Sequence, residues 1–298
     1  MTDSSPPEAP QAPIVLSHYQ ATPLLRARRD GLRTARTSPD LGLTYFEAAL
    51  GGETLRYPSG EHVPWAEIEL IADEGERGRL SDRCYYIAPN GEAQQIRTFS
   101  RRTNRHYSLL PTNGAPTMVI AGFPMHRIKG LDPHQDTLAK VRAAGDITGR
   151  VLDTATGLGY TAIEAARTAE HVVTVELDPT GLEIARLNPW SRDLFNNPRI
   201  EQIVGDSYEV VEGFDTGAFT VVIHDPPAFS LAGELYSGEF YRRLHRVLQR
   251  GGRLFHYIGN PERTMGARVT KGVVRRLQDA GFKRVEHRPQ AFGVLAHK

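Results

Sequence analysis

The sequence predicts an α/β fold: a mostly parallel, helix-flanked sheet closed by an antiparallel hairpin, with a smaller β-rich region ahead of it. Three observations predict this. Residues 149–178 read GRVLDTATGLGYTAIEAARTAEHVVTVELD, where two apolar runs, Val151-Leu152 and Val172–Val175, flank a glycine turn and a helically spaced set, Ala162, Ile163, Ala165 and Ala166. Apolar runs at 200–204, 219–224 and 253–257 then alternate with helical stretches, as in a parallel sheet. Two last runs, near 283–287 and 291–297, are joined by a short connection, which suits an antiparallel pair.

Each element has its own signal. Residues 1–14 are rich in Pro, Ser and acids, bury little, and are expected to form a disordered tail. Residues 15–133 read as a small β-rich domain, with strands at Leu43–Phe46, Ile68–Ile71, Cys84–Ile87 and Met118–Ala121. Pro89-Asn90-Gly91 and Thr112-Asn113-Gly114 are its turns. A helix at 134–144 opens the larger domain, 134–298. Pro179 starts a helix bearing Leu182, Ile184, Ala185 and Leu187, and Asn188-Pro189-Trp190-Ser191 stops it. Helices at 234–249 and 266–280 precede Gly251-Gly252 and Gly281.

Composition narrows the class. With 298 residues, 40% hydrophobic and 24% charged, the chain reads as a soluble globular protein of one large or two ordinary domains. A net charge of +1 gives no overall bias towards nucleic acid or membrane. The single cysteine, Cys84, excludes an internal disulfide framework and supplies no zinc cluster. The first fifteen residues lack the basic start and apolar core of a secretory signal, and no run approaches the roughly 18 apolar residues of a membrane span. A cytoplasmic location is expected.

The strand tips carry the chemistry. Gly157 and Gly159 allow a sharp turn and close approach of a ligand to the backbone, and Asp153 and Glu176 end the flanking strands. Glu176, 19 residues beyond Gly157, is placed to accept both ribose hydroxyls of a nucleoside-bearing cofactor. Gly205-Asp206 and Asp225-Pro226-Pro227-Ala228-Phe229 follow the next two strands. The paired prolines stiffen the second of these turns and leave its carbonyls available to accept hydrogen bonds. Two readings stay open for several residues. Tyr160 either covers the cofactor or packs the core. Glu234, Tyr236 and Ser237 either reach an acceptor or start a helix. His126 and Arg127 either touch substrate or belong to a linker. His224 and His256 read as packing residues, with His256 a second candidate contact, and Ser207 reads as an N-cap. Arg97, Arg101, Arg102 and Arg105, with Tyr107, form either a phosphate-binding segment or, as the reading preferred here, a solvated loop offset by Glu74, Glu76 and Asp82.

From about 149 to 298 the chain resembles a class I S-adenosylmethionine-dependent methyltransferase, on a Rossmann-like sheet. Asp153 with Thr156-Gly157-Leu158-Gly159 resembles the family's first motif, Glu176-Leu177 its ribose-binding acid, Gly205-Asp206 its adenine-contacting pair, and Asp225-Pro226-Pro227 the motif of amino-group methyltransferases. The strings DTATGLGYTAIEA, HDPP, SLAGELYS and LFHY are similar to a group of predicted methyltransferases known from archaea. Ala155 stands where the family often has glycine, and the aromatic beside Pro-Pro is displaced to Phe229. Carbon-5 methylation of cytosine needs a cysteine in this half, and none is there.

The resemblance implies S-adenosylmethionine as cofactor and an amine nitrogen, of a small molecule or an RNA base, as acceptor. Asp225, Pro226, Pro227 and Phe229 are then the catalytic set. Asp153, Thr156, Gly157, Gly159, Tyr160, Glu176, Leu177, Gly205 and Asp206 bind the cofactor, with no metal and no membrane partner. An aminopropyltransferase, using decarboxylated S-adenosylmethionine on the same fold, is the alternative. A nicotinamide oxidoreductase leaves Gly205-Asp206, Asp-Pro-Pro and the closing hairpin without roles. A non-catalytic nucleotide- or RNA-binding module leaves the strand-tip acids unexplained.

Overall fold

The computed structural model describes residues 13–76, 83–229, 231–260 and 264–298, and the side chains among them except those of 73–76 and 264–268. Its centre is a seven-stranded sheet: β1 (Arg150–Asp153), β2 (His171–Glu176), β3 (Ile200–Val204), β4 (Phe219–His224), β5 (Leu248–Tyr257), β6 (Arg284–Arg288) and β7 (Gly293–His297). The strand order is β3-β2-β1-β4-β5-β7-β6. β1, β2, β3, β4 and β5 pair in parallel, and β7 lies antiparallel to both β5 and β6. The closing hairpin therefore has its second strand inside, against β5. Among the described residues this half has the α-helices α1 (Pro133–Ala144), α2 (Tyr160–Ala165), α3 (Pro179–Leu187), α4 (Arg192–Asn196), α5 (Ser207–Val210), α6 (Gly238–Val247) and α7 (Thr264–Asp279).

Alternation along the strands builds two cores, because successive strand side chains point to opposite faces. Val151, Val172, Val221, Ile223 and Phe255 enter one apolar cluster with Ala144 of α1 and Ala162 and Ala165 of α2. Leu152, Val173, Val222 and Leu254 enter another, with Phe240 and Leu244 of α6 and Val273 and Leu277 of α7. The first cluster also takes in Val15, Leu41, Cys84, Ile96, Tyr107 and Leu109 from the amino-terminal region. That region adds a third cluster of its own, around Leu24, Leu55, Trp65, Ile68 and Ile71.

The amino-terminal region departs from the expected mostly-β reading in two places. Ile68–Ile71, expected as a strand, lies inside a helix, Trp65–Glu76, whose Trp65, Ile68, Ile71 and Ala72 are buried at helical spacing while Leu70 is exposed. A second helix, His18–Arg29, starts from a capping box in which Ser17 and Gln20 bond reciprocally. Leu43–Phe46 is mostly turn, and strand begins only at Phe46. Cys84–Ile87 and Met118–Ala121 are confirmed, as strands Tyr85–Ile87 and Thr117–Ile120. The tail expected over residues 1–14 lies outside the described residues up to 12, whereas Ile14 is already buried and accepts a hydrogen bond from the Ile87 amide. The helix expected at 234–249 begins later, at Gly238.

The shared cluster is what fixes the amino-terminal strands to the sheet. Leu109, fully buried there, is the sensitive position. Leu109→Ala is expected to cost about 2–5 kcal/mol, the usual range for a buried Leu truncation, read as a lowered midpoint in urea with unchanged slope. A loss below about 1 kcal/mol would mean the two regions do not share a load-carrying core.

Candidate active site

The parallel strands end along one edge, and the predicted acids meet there. A cavity of about 140 Å³ is lined by Thr154, Thr156 and Gly157 after β1, by Glu176 and Leu177 after β2, by Asp206 after β3 and by Asp225 and Pro226 after β4. The strand order sets their sequence in space, from Asp206 through Glu176 to Asp225. Glu176 is held by two backbone amides: Gly157 N–H donates to Oε2 at 2.8 Å and Asp178 N–H to Oε1 at 3.0 Å. Burial raises its carboxyl to about 7, against those amides. Asp206 caps α5 by accepting from the Tyr208 amide. Leu177 is 43% exposed, at the rim.

Three predicted residues act from beneath. Asp153 is fully buried, accepts from the Thr174 hydroxyl at 2.8 Å, and leaves Oδ1 without a partner of normal geometry. Burial raises it to about 7, Thr174 opposing. Gly159 has φ +76°, and a Cβ there would lie 2.6 Å from a Leu194 methyl, so its constraint is packing against α4 and not approach to a ligand. Gly205 donates to the Glu176 carbonyl, fixing β3 beside β2. Tyr160 lines the cavity, but its hydroxyl is spent inside, donating to the Pro116 carbonyl and accepting from Asn188.

The β4 tip contains what the sequence did not reveal. Asp225 Oδ2 accepts from Lys140 Nζ at 2.6 Å, and the same ammonium lies 2.9 Å from Asp136 Oδ2. Asp136 in turn pairs with Arg127 Nε. The Lys140 and Asp136 side chains are 1% and 0% exposed, so this is a buried chain of two cations and two anions. Burial alone would lower the Lys140 ammonium, but Asp225 and then Asp136 hold it above its ordinary value. Asp136 stays below the usual carboxylate range, since Lys140 and Arg127 outweigh burial. Burial raises Asp225, with Lys140 opposing. The signal was present on α1, where Pro133, Asp136, Thr137, Lys140 and Ala144 are all buried: charges occupy core spacing.

Against the Asp-Pro-Pro turn lies a second chamber of about 580 Å³, sharing Met125, His126, Pro226, Pro227 and Leu231 with the first. Phe123, Phe229, Tyr236, Tyr257 and Ile258 form its apolar walls, and Arg127 joins them. The Tyr236 hydroxyl donates to the Pro227 carbonyl at 3.1 Å, and Phe229 meets the Tyr236 ring edge-on. His126 and Arg127 thus face a cavity and are not mere linker. Burial, then the Lys140 charge, lowers the His126 imidazole to about 3, so it is neutral. Glu234 lines the first cavity, while Ser237 caps α6.

Other expectations are corrected. Ser207 is not the N-cap: Asp206 is, and the Ser207 hydroxyl donates to the Thr154 carbonyl at 2.6 Å. His256 is fully buried, bonded to the Tyr241 hydroxyl and the His224 carbonyl, which removes it as a substrate contact. His224 bonds Thr154 and the Leu235 carbonyl. The arginine segment is not a detached loop. It is a hairpin, Arg97–Ser100 with Arg105–Leu110, whose Thr103 and Tyr107 hydroxyls both donate to Asp178 Oδ2, at 2.8 and 3.0 Å. Arg105 lines the cavity there. The acids expected to offset it, Glu74, Glu76 and Asp82, have side chains outside the described residues.

This sheet, with acids on successive strand tips, is the methyltransferase type of α/β fold. A family model described as a methyltransferase domain matches residues 152–256. Uncharacterized protein MJ1233 of Methanocaldococcus jannaschii is 50% identical over 246 residues, covering 82% of this chain and 81% of that one. The chain belongs to that protein's family. A polyamine aminopropyltransferase of Mycobacterium tuberculosis is 34% identical over 148 residues, covering 47% of this chain and 28% of that protein. A spermidine synthase solved with the transition-state analogue AdoDATO superposes with TM-score 0.57 at 20% identity, over 70% of this chain and 77% of that one.

The ion chain predicts a pH signature. Lys140→Met leaves two buried carboxylates without their shared cation, a loss of about 3–5 kcal/mol. Asp225, whose buried carboxyl Lys140 had opposed, then has a folded pKa well above its unfolded one, so the folded state binds more protons and stability falls as pH rises, while Asp136 keeps Arg127. Urea titrations are expected to show the defect larger at pH 8 than at pH 5. A pH-independent defect would mean the pair is not buried in solution.

Proposed function

We propose that the chain transfers an aminopropyl group from decarboxylated S-adenosylmethionine to an amine, the alternative reading of the sequence. One observation carries the choice of donor: among the described residues, the strand-tip cavity near β1 and β4 is lined by acids and by no lysine or arginine. With Glu176 on the ribose and Asp206 towards the adenine, the donor's tail falls between the tips of β1 and β4. Asp225 and Glu234 line the cavity, and Asp153 lies buried at the tip of β1 beneath it. Among the described lining residues the one lysine or arginine is Arg105, on the hairpin beside Asp178. A protonated aminopropyl tail suits such an end, and a carboxylate does not. Polyamine aminopropyltransferases are among the relatives whose names carry an activity.

Bound there, the donor supplies a carbon activated by its sulfonium: a C–N bond forms, the C–S pair passes to sulfur, and the nitrogen's surplus proton leaves. The protein's part is orientation and proton acceptance. Asp225 is already fixed by Lys140, so its remaining oxygen is positioned for the acceptor's N–H without further ordering. The Pro226 carbonyl and the neutral His126 are the nearby acceptors. Methyl transfer from the carboxylated donor is the second reading, favoured by the Asp-Pro-Pro turn. The donor's tail separates the two.

Calorimetric titration with both donors tests this. Decarboxylated S-adenosylmethionine is expected to bind at least tenfold more tightly than S-adenosylmethionine, and Glu176→Gln to weaken both. Asp225→Asn is expected to weaken the decarboxylated donor more than S-adenosylmethionine and to lower turnover by about 10²–10⁴. Tighter binding of the carboxylated donor would hand the site to methyl transfer. Binding of neither would end both readings.

A further inference from the structure

Resting on that reading of the strand-tip cavity, we propose that the acceptor is a hydrophobic monoamine and not a polyamine chain. The outer chamber carries the inference. A polyamine bound through one nitrogen must still place a second ammonium, and a cation leaving water needs a carboxylate or several acceptors around it. Among the described residues lining the chamber there is no acid. Its one permanent charge is positive, Arg127, which is paired with Asp136 and packed on the Phe292 ring. Asp225 lines the inner cavity beside the shared Pro226 and already gives an oxygen to Lys140. Beyond the carboxylate that the reacting amine itself uses, a second ammonium in the chamber would meet Arg127 and, among the described lining residues, no acid of its own.

The walls favour the opposite kind of molecule. Phe123 and Phe229 are 61% and 53% exposed, and both stand on this one chamber. They face the chamber with Tyr236, Tyr257 and Ile258. Tyr257 also carries Lys140 over its ring at 4.4 Å, which holds the wall in place. A space of about 580 Å³ fits a skeleton of one or two rings, whose apolar surface these side chains would remove from water. The amine then reaches the Asp-Pro-Pro junction, where the two cavities share Pro226, Pro227 and His126.

The test titrates the full chain, alone and saturated with 5′-methylthioadenosine, with 1-naphthylmethylamine, putrescine and spermidine. The naphthyl amine is expected to bind at least tenfold more tightly than either polyamine. The double variant Phe123→Ala/Phe229→Ala, at exposed positions, is expected to lower that affinity about tenfold and leave the polyamines unchanged. Phe123→Asp supplies the missing acid and is expected to raise spermidine affinity. Equal or tighter polyamine binding to the wild type overturns the proposal, as does naphthyl binding indifferent to the double variant. Absence of nucleoside binding would count against the donor reading alone, because the titration without nucleoside still reads the chamber.

Discussion

Lys140 is an ammonium inside the protein, and the arrangement of the strand tips follows from keeping it charged there. Removing such a group from water costs several kcal/mol even after relaxation, and one acid does not return that. Two do: Asp136 one turn earlier on α1 and Asp225 at the end of β4. The pairing pins α1 to the sheet where β1 and β4 lie side by side. Asp136 also holds Arg127, so the segment entering α1 is drawn across the same edge. A cavity at that place is a consequence of where the cation had to go.

A second tie closes the other end. Asp178, just past β2, caps α3 and accepts from Thr103 and Tyr107 of the amino-terminal hairpin. The hairpin reaches the strand tips from one side and the Arg127 segment from the other. Between them lie Glu176 and Asp153, two carboxyls that burial holds near neutrality. Hydrogen-bond donors or a cation brought within bonding distance would favour their charged forms, so at such a place binding and ionisation would reinforce each other. Asp225 differs: its cation is built in, which makes it an oriented acceptor before any ligand arrives.

The sequence was most readable where local pattern and final environment agree. Buried parallel strands are short apolar runs, and each here ends on a polar tip, so the order of elements from Arg150 to His297 could be written before the structure. The short connection after β6 marked the closing hairpin, but not that β7 would lie inside it against β5. The amino-terminal helices were missed because Ile68-Glu69-Leu70-Ile71 fits either period over four residues, and only the wider set Trp65, Ile68, Ile71 and Ala72 distinguishes them. The strand-tip acids were legible because a carboxylate at that place has few structural uses. Lys140 was not, since its partner Asp225 lies 85 positions away, and pairing over that distance leaves no local mark. What could be seen was a lysine and an aspartate at core positions of an amphipathic helix.

The same geometry explains how one fold can serve two donors. Selecting between them requires a decision about a single carboxylate on the tail, and that decision is electrostatic. A donor keeping the carboxylate needs an uncommitted cation or an array of amides near β1 and β4. Here the cation at that place, Lys140, is answered by two acids and sits behind Asp225. To serve an incoming carboxylate it would have to give up Asp225, exchanging one buried pair for another and leaving Asp225 beside Asp153 without compensation. A tail ending in an ammonium asks for no such exchange. Under the proposed reading it would meet oxygens that are already present, and the ion chain would stay as it is.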